Sequence, residues 1–302
     1  MDLMTSALSR LEWRLKACFC SNTILADCSK DDYFWSGQNI RGRICLGLGA
    51  AYGVSEDVVL DVAALTQLLH DASLIHDDLI DEDSQRRGYP AIWKKYGKAK
   101  ALLIGDLLIA KSYEVAVESK VTDKIKVAWT SEISSAVSSA ISGAVGELGF
   151  DTNDTGVILD DYFAMASRKT GALFALPARC ITHVVNQTEH KDLLSKIFAN
   201  LAVAYQIKDD QSDLLGTKSG RAYSSDLKNA RPNIYHILEN IGMPKHKSFS
   251  FISDYHDSLV SDSLQLAKSL PYQVCGTLKE LLFPFIELQR SPSSSRLLPI
   301  GS

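Results

Sequence analysis

The chain has 302 residues, 46% of them hydrophobic and 23% charged, with a formal net charge of −4. That is ample apolar material for one large core or two smaller ones and excludes a chain that is disordered throughout. The basic residues form no stripe, so a nucleic-acid partner is not expected.

The first segment, 3–20, has apolar residues at three- and four-residue spacing and is expected to be helical. Charges run through it, so it does not read as a secretory leader. Cys18, Cys20 and Cys28 crowd near the start, with Cys45, Cys180 and Cys275 beyond. Their spacing matches no zinc pattern, and reduced thiols in a cytoplasmic protein are the reading. Helices are expected next over 37–53, 55–79, 97–119, 124–148, 158–184, 191–214 and 275–289. Turn signals stand between them at Gly88-Tyr89-Pro90, Asp151 to Gly156, Ser219-Gly220 and Gly242-Met243-Pro244. The apolar stretch Ala101 to Ala110 contains Gly105 and Asp106 and is too short to cross a bilayer, so no transmembrane segment is expected. Strand-like alternation is scarce, and no change of composition marks a second domain. The expected fold class is all-α: a single-domain helical bundle over 1–289 around a central apolar cavity. The Ser- and Pro-rich 290–302 reads as a disordered tail.

Two of these helices carry acid clusters. Segment 55–79 runs into His76-Asp77-Asp78-Leu79-Ile80-Asp81, followed by Arg86-Arg87-Gly88. Segment 191–214 carries Asp209-Asp210-Gln211-Ser212-Asp213. Asp77 and Asp81 are four apart, as are Asp209 and Asp213, so each pair shares a helix face. One such pair alone is more often a solvated face. Here Leu65, Leu68, Leu69, Ala72 and Ile75 lead into the first cluster, and Leu201, Val203, Ala204, Tyr205 and Ile207 into the second. Carboxylates crowded at the end of a core helix need compensating cations. An oxygen-only ligand set beside arginines points to Mg2+ shared with substrate phosphates. Packed with their acidic ends at one mouth, the two helices would flank a groove for a phosphorylated head and an apolar tail. Asp106, inside an apolar helix, reads as structural.

With these motifs in this order, the chain resembles the trans-isoprenyl diphosphate synthase (polyprenyl synthetase) family, closest in kind to geranylgeranyl diphosphate synthases. The resemblance runs from about Gly37 to Arg290 and rests on residues 77–88, on Lys169-Thr170, and on 205–213. It implies a bundle of the isoprenoid synthase type, a homodimer, and about three Mg2+ ions per active site. The implied reaction ionises an allylic diphosphate, and the carbocation alkylates isopentenyl diphosphate. By resemblance Asp77, Asp81 and Asp209 bind Mg2+ directly, while Asp78, Asp210 and Asp213 complete or support the set. Arg86, Lys169 and Arg221 would hold the allylic diphosphate, and Thr170 and Gln206 would place oxygens beside the cation. Isopentenyl diphosphate would be held at Gln38, Arg41, His70 and Arg87.

Gln38 departs from the family pattern, which has lysine there; losing that charge costs about 1–3 kcal/mol of phosphate binding. Gly220-Arg221 and Ala230-Arg231 stand where Gly-Lys is usual, and Ile237 to Leu270 reads as about one helix shorter than the family norm. Chain length is expected to be set at Ala72 and Ser73, both small where the family puts a bulky floor, with Leu69 the next obstruction. A twenty-carbon or longer all-trans product follows. Two alternatives are an enzyme of the same fold that ionises a prenyl diphosphate without normal elongation, as terpene synthases do, and a non-catalytic regulatory subunit.

Overall fold

The computed structural model describes residues 3–37, 39–150, 159–217, 231–286 and 288. In chain order the helices are α1 (Leu3–Cys20), α2 (Thr23–Cys28), α3 (Asp32–Trp35), α4 (Ile40–Ala51) and α5 (Glu56–Ile80). A hairpin of β1 (Gln85–Arg86) and β2 (Tyr89–Pro90) follows, then α6 (Ile92–Tyr96), α7 (Lys98–Glu118), α8 (Asp123–Leu148) and α9 (Leu159–Ala166). A π-helical turn, Ser167–Gly171, joins α9 to α10 (Ala172–Val184). The chain continues through α11 (Thr188–Leu214), α12 (Ile234–Asn240), α13 (Lys245–Ala267) and α14 (Tyr272–Ile286).

α5 is the axis of the fold. Glu56 and Asp57 place acidic groups in its first turn, where the helix dipole favours them. From Val58 to Ile75 most of the buried side chains are apolar, with Thr66, Gln67 and Asp71 the polar exceptions, and α1, α4, α7 and α10 pack around them. By length and composition α5, rather than 101–110, is the stretch most able to cross a membrane, but most of it is buried inside the bundle. Its burial is that of a core helix. The main core joins α1, α5, α7 and α10. A second cluster ties α4, α10 and α11 to α14, and a third packs α9 and α11 against α12 and α13. The chain is one helical domain; the segment 290–302 lies outside the described residues.

Several local features differ from expectation for identifiable reasons. Helix α4 starts at Ile40 rather than 37 because Asn39 adopts a left-handed conformation, φ 48°, that a helix cannot continue through. Within the segment expected as one helix, residues 159–184 form two, with the π turn between them. The hairpin at 85–90 has a two-residue loop, Arg87-Gly88, and both loop residues have positive φ, the signature of a tight hairpin turn. Helix α13 has weak hydrophobic periodicity in sequence because its buried stripe includes Ser248, His256 and Ser263 beside Ile252 and Ala267. A stripe that polar carries little hydrophobic signal.

Candidate active site

A cavity of about 910 Å³ opens between α4, α5, α8, the π turn and α11, with the 85–90 hairpin at its rim. Asp77 and Asp81 reach it from the C-terminal end of α5, Glu147 from the end of α8, and Asp209 from α11. Lys169 from the π turn and Arg231 stand among these acids. Lys169 Nζ lies 3.7 Å from Asp77 Oδ1 and bonds Glu147. Arg231 Nη2 lies 2.5 Å from Asp81 Oδ2 and 3.4 Å from Asp83.

The crowding shows in the protonation equilibria. Burial raises Asp81 to about 6; Arg231 opposes the shift and Asp77 adds to it. Burial works against the Lys169 charge, but Asp77, Glu147 and Asp81 outweigh it, and its pKa is raised. Glu147 is not marked in the sequence, because a lone acid near a helix end has no distinguishing pattern. A signal did exist in the small residues around it. A Cβ on Gly143 would stand 2.5 Å from the Lys169 backbone nitrogen, so only glycine lets α8 approach the π turn this closely.

Asp78, Asp210 and Asp213, expected to complete or support the metal-binding set, are not among the residues that line the cavity. All three are buried. Adjacent residues on a helix point about 100° apart, so when Asp77 and Asp209 face the cavity, Asp78 and Asp210 turn into the protein. Asp78 Oδ2 accepts from Tyr33 Oη at 2.8 Å, and its Oδ1 accepts from Arg86 Nε at 2.7 Å. Burial pushes the Asp78 carboxyl up while Arg86 and Tyr33 oppose it. Burial likewise disfavours the Arg86 charge, but the Asp78 bond more than offsets this, and the Arg86 pKa is raised.

Asp210 organises the facing wall. Its Oδ2 accepts from Tyr162 Oη at 2.6 Å and from the Ile234 N–H at 2.8 Å, and its Oδ1 accepts from Gln206 Nε2 at 2.8 Å. With its nitrogen held, Gln206 turns its carbonyl oxygen outward, where Thr170 Oγ1 donates to it at 3.5 Å. Thr170 and Gln206 both line the cavity.

A second cationic pocket lies farther along α5. Arg41 Nη1 stands 3.2 Å from His70 Nε2, and its guanidinium lies 4.5 Å over the Phe174 ring. Arg41 Nε and His70 Nδ1 are buried without hydrogen-bond partners. Burial lowers Arg41 to about 10. Burial, and then the charges of Arg41, Arg87 and Arg86, hold His70 well below the usual imidazole range, so it is neutral at pH 7. Arg87 donates to the Ser36 carbonyl, and its guanidinium packs so closely on Gly37 that a Cβ there would stand 2.5 Å from Nη1. Gln38 and Arg221 lie outside the described residues.

Of the three residues expected to set chain length, Ser73 alone lines the cavity. Ala72 and Leu69 are packed in the main core, a correction with a simple cause. Ser73 sits roughly 40° around the helix from Asp77, whereas Ala72 sits roughly 140° away. The cavity's apolar wall is instead built by Leu74, Leu102, Ile141, Val145, Leu148 and Leu173. Asp106 is exposed, 3.6 Å from His76 Nε2, and does not line the cavity.

Among the described residues no three acidic, histidine or cysteine side chains stand close enough together to hold a metal ion between them. Asp77, Asp81 and Asp209 nevertheless converge on one cavity as oxygen donors, with two basic side chains drawn in against the acids. That donor set suits Mg2+, which takes few carboxylates and completes its shell with water and phosphate oxygens.

The family model described as polyprenyl synthetase matches residues 23–249. Similar curated proteins include a short chain isoprenyl diphosphate synthase of Methanocaldococcus jannaschii, 28% identical over 86% of this chain and 81% of that protein. A farnesyl diphosphate synthase of Bacillus subtilis is 31% identical over 79% of this chain and 82% of its own length. Among solved structures, a geranylgeranyl pyrophosphate synthetase from Pyrococcus horikoshii superposes with a TM-score of 0.83, covering 95% of this chain and 97% of that one. At 22% sequence identity that likeness speaks for the fold alone.

Proposed function

This chain belongs to the polyprenyl synthetase family and is a prenyltransferase, and we propose that it condenses isopentenyl diphosphate with an allylic diphosphate in a Mg2+-dependent reaction. One observation carries the reading. A single cavity joins an acidic mouth (Asp77, Asp81, Asp209), a separate cationic pocket (Arg41, His70, Arg87) and an apolar wall.

Asp77, Asp81 and Asp209 would hold the Mg2+, which when bound offsets the negative charge of the allylic diphosphate. Lys169 and Arg86 add fixed positive charge where the leaving group develops its own, stabilisation that needs no reorganisation during reaction. The allylic C–O bond breaks and its electron pair leaves with diphosphate. Gln206 Oε1 and Thr170 Oγ1 turn partial negative charge toward the carbon left electron-poor. Arg41, neutral His70 and Arg87 hold the diphosphate of isopentenyl diphosphate, orienting its double bond toward that carbon. The double bond supplies the new C–C bond, and loss of a proton restores neutrality. Leu74 and Leu173 give the cavity apolar lining that limits water beside the cation.

The product proposed is twenty carbons or longer, supported by small Ser73 where a bulky side chain would shorten the space. A homodimer through α7 and α8 is part of the proposal. Its support is the exposed apolar Leu103, Val117 and Val127 on those helices. A reduced, cytoplasmic setting is supported by six free cysteines, five of them buried. The test is to incubate the purified protein with Mg2+, isopentenyl diphosphate and each allylic diphosphate, and to identify products by mass spectrometry. Loss of diphosphate without consumption of isopentenyl diphosphate would replace this reading with terpene-synthase-like chemistry.

A further inference from the structure

Between the two ends of the cavity, α5 places a carboxylate for which the condensation has no use. Asp71 is 4% exposed, and its Oδ1 accepts from Gln67 Nε2 at 2.8 Å. Gln67 lines the cavity beside His70 and Arg41. The groups acting on Asp71 come from four elements: Gln67 on α5, Arg41 on α4, Arg87 on the hairpin loop, and Tyr33 on α3. A carboxylate can only accept, so ionised Asp71 draws in the Gln67 amide nitrogen and leaves the carbonyl oxygen toward the cavity.

We propose that Asp71 is a positioning residue for the second substrate, and that its charge and its hold on Gln67 set how tightly the Arg41–His70–Arg87 pocket binds a diphosphate. The proposal rests on the reading of that pocket given above. Ionised Asp71 opposes an incoming diphosphate twice, by its own charge and by the carbonyl dipole it aims at the pocket. Protonated, it becomes a donor to Gln67 Oε1; the amide then turns its N–H groups to the cavity, and one negative charge is gone. Burial holds the Asp71 carboxyl up at about 7, against the Gln67 hydrogen bond and the charges of Arg87 and Arg41. A diphosphate in the pocket therefore favours the protonated form, and binding takes up a proton.

The experiment is calorimetric titration of the full chain with isopentenyl diphosphate and Mg2+ at pH 7.5. It is run in two buffers of different ionisation enthalpy, with KM measured in parallel for both substrates. In wild type, proton uptake accompanies binding. Asp71→Asn, which keeps the shape and an acceptor for Gln67, should bind isopentenyl diphosphate roughly tenfold more tightly, the effect of one charge removed in a partly polar interior. Its KM for isopentenyl diphosphate should fall by the same factor, the allylic KM should not move, and proton uptake should vanish. Asp71→Ser, read the same way, separates the charge from the amide contact. No proton uptake by wild type, uptake that persists in the variants, or equal shifts in both KM values would overturn the proposal. Absence of condensation product with intact calorimetric binding would instead sink the reading of function and leave this one standing.

Discussion

Replacing Asp210 with alanine removes the acceptor shared by three donors, the buried Tyr162 hydroxyl and Ile234 N–H and the half-buried Gln206 amide. Asp210 is 0% exposed, so water does not readily take its place. Each donor left unpaired costs about 1–3 kcal/mol. Removing a buried carboxylate returns part of that, because its desolvation penalty disappears with it. The balance expected is a loss of about 3–5 kcal/mol, the range for breaking one side of a buried charged network. Asp209→Ala makes the contrast. That side chain opens to the cavity beside other carboxylates, so its removal should change stability by less than about 1 kcal/mol. Urea unfolding followed by circular dichroism in Mg2+-free buffer measures both, with the slope checked for a common transition. The reasoning fails if Asp210→Ala unfolds within about 1 kcal/mol of wild type, or if Asp209→Ala loses as much. Either result would mean that the two adjacent aspartates do not divide into one that faces the cavity and one that holds the wall.

Chelation by EDTA should abolish turnover, and Asp77→Ala or Asp209→Ala should lower kcat by several decades while the protein stays folded; appreciable activity without divalent metal would end that reading. Ser73→Phe should shorten the product by filling the cavity about one turn from Asp77, as product mass would report. Ala72→Phe should act differently, overpacking the main core at a cost of about 1–3 kcal/mol in urea unfolding; a stable Ala72→Phe enzyme with a shorter product would reverse the assignment. Gly143→Ala forces the π turn away from α8, and a misplaced Lys169 should lower kcat by about tenfold or more. A kcat equal to wild type would show that the turn yields without moving Lys169.

The helical architecture and half of the acidic site were legible because both are local. A 3.6-residue period announces each amphipathic helix, and four-residue spacing puts Asp77 and Asp81 on one face whatever surrounds them. Lys169-Thr170 could be singled out by family resemblance, though nothing local revealed that a π turn carries it. The same local logic could not tell Asp77 from Asp78 or Asp209 from Asp210. Each helix could be rotated by a residue without changing its own pattern. What breaks the tie is packing: Tyr33 and Arg86 claim Asp78, Tyr162 and Ile234 claim Asp210, and their neighbours are left to face the cavity. Glu147 and Gln67 line the site with no motif of their own to mark them, and Arg231, visible in sequence only as a departure from Gly-Lys, comes in against Asp81. Ala72 and Ser73 look alike in sequence, yet one is core and the other is wall. The sequence specifies which groups exist and at what period; which way each one faces is a property of the neighbours it packs against, and those arrive from distant parts of the chain.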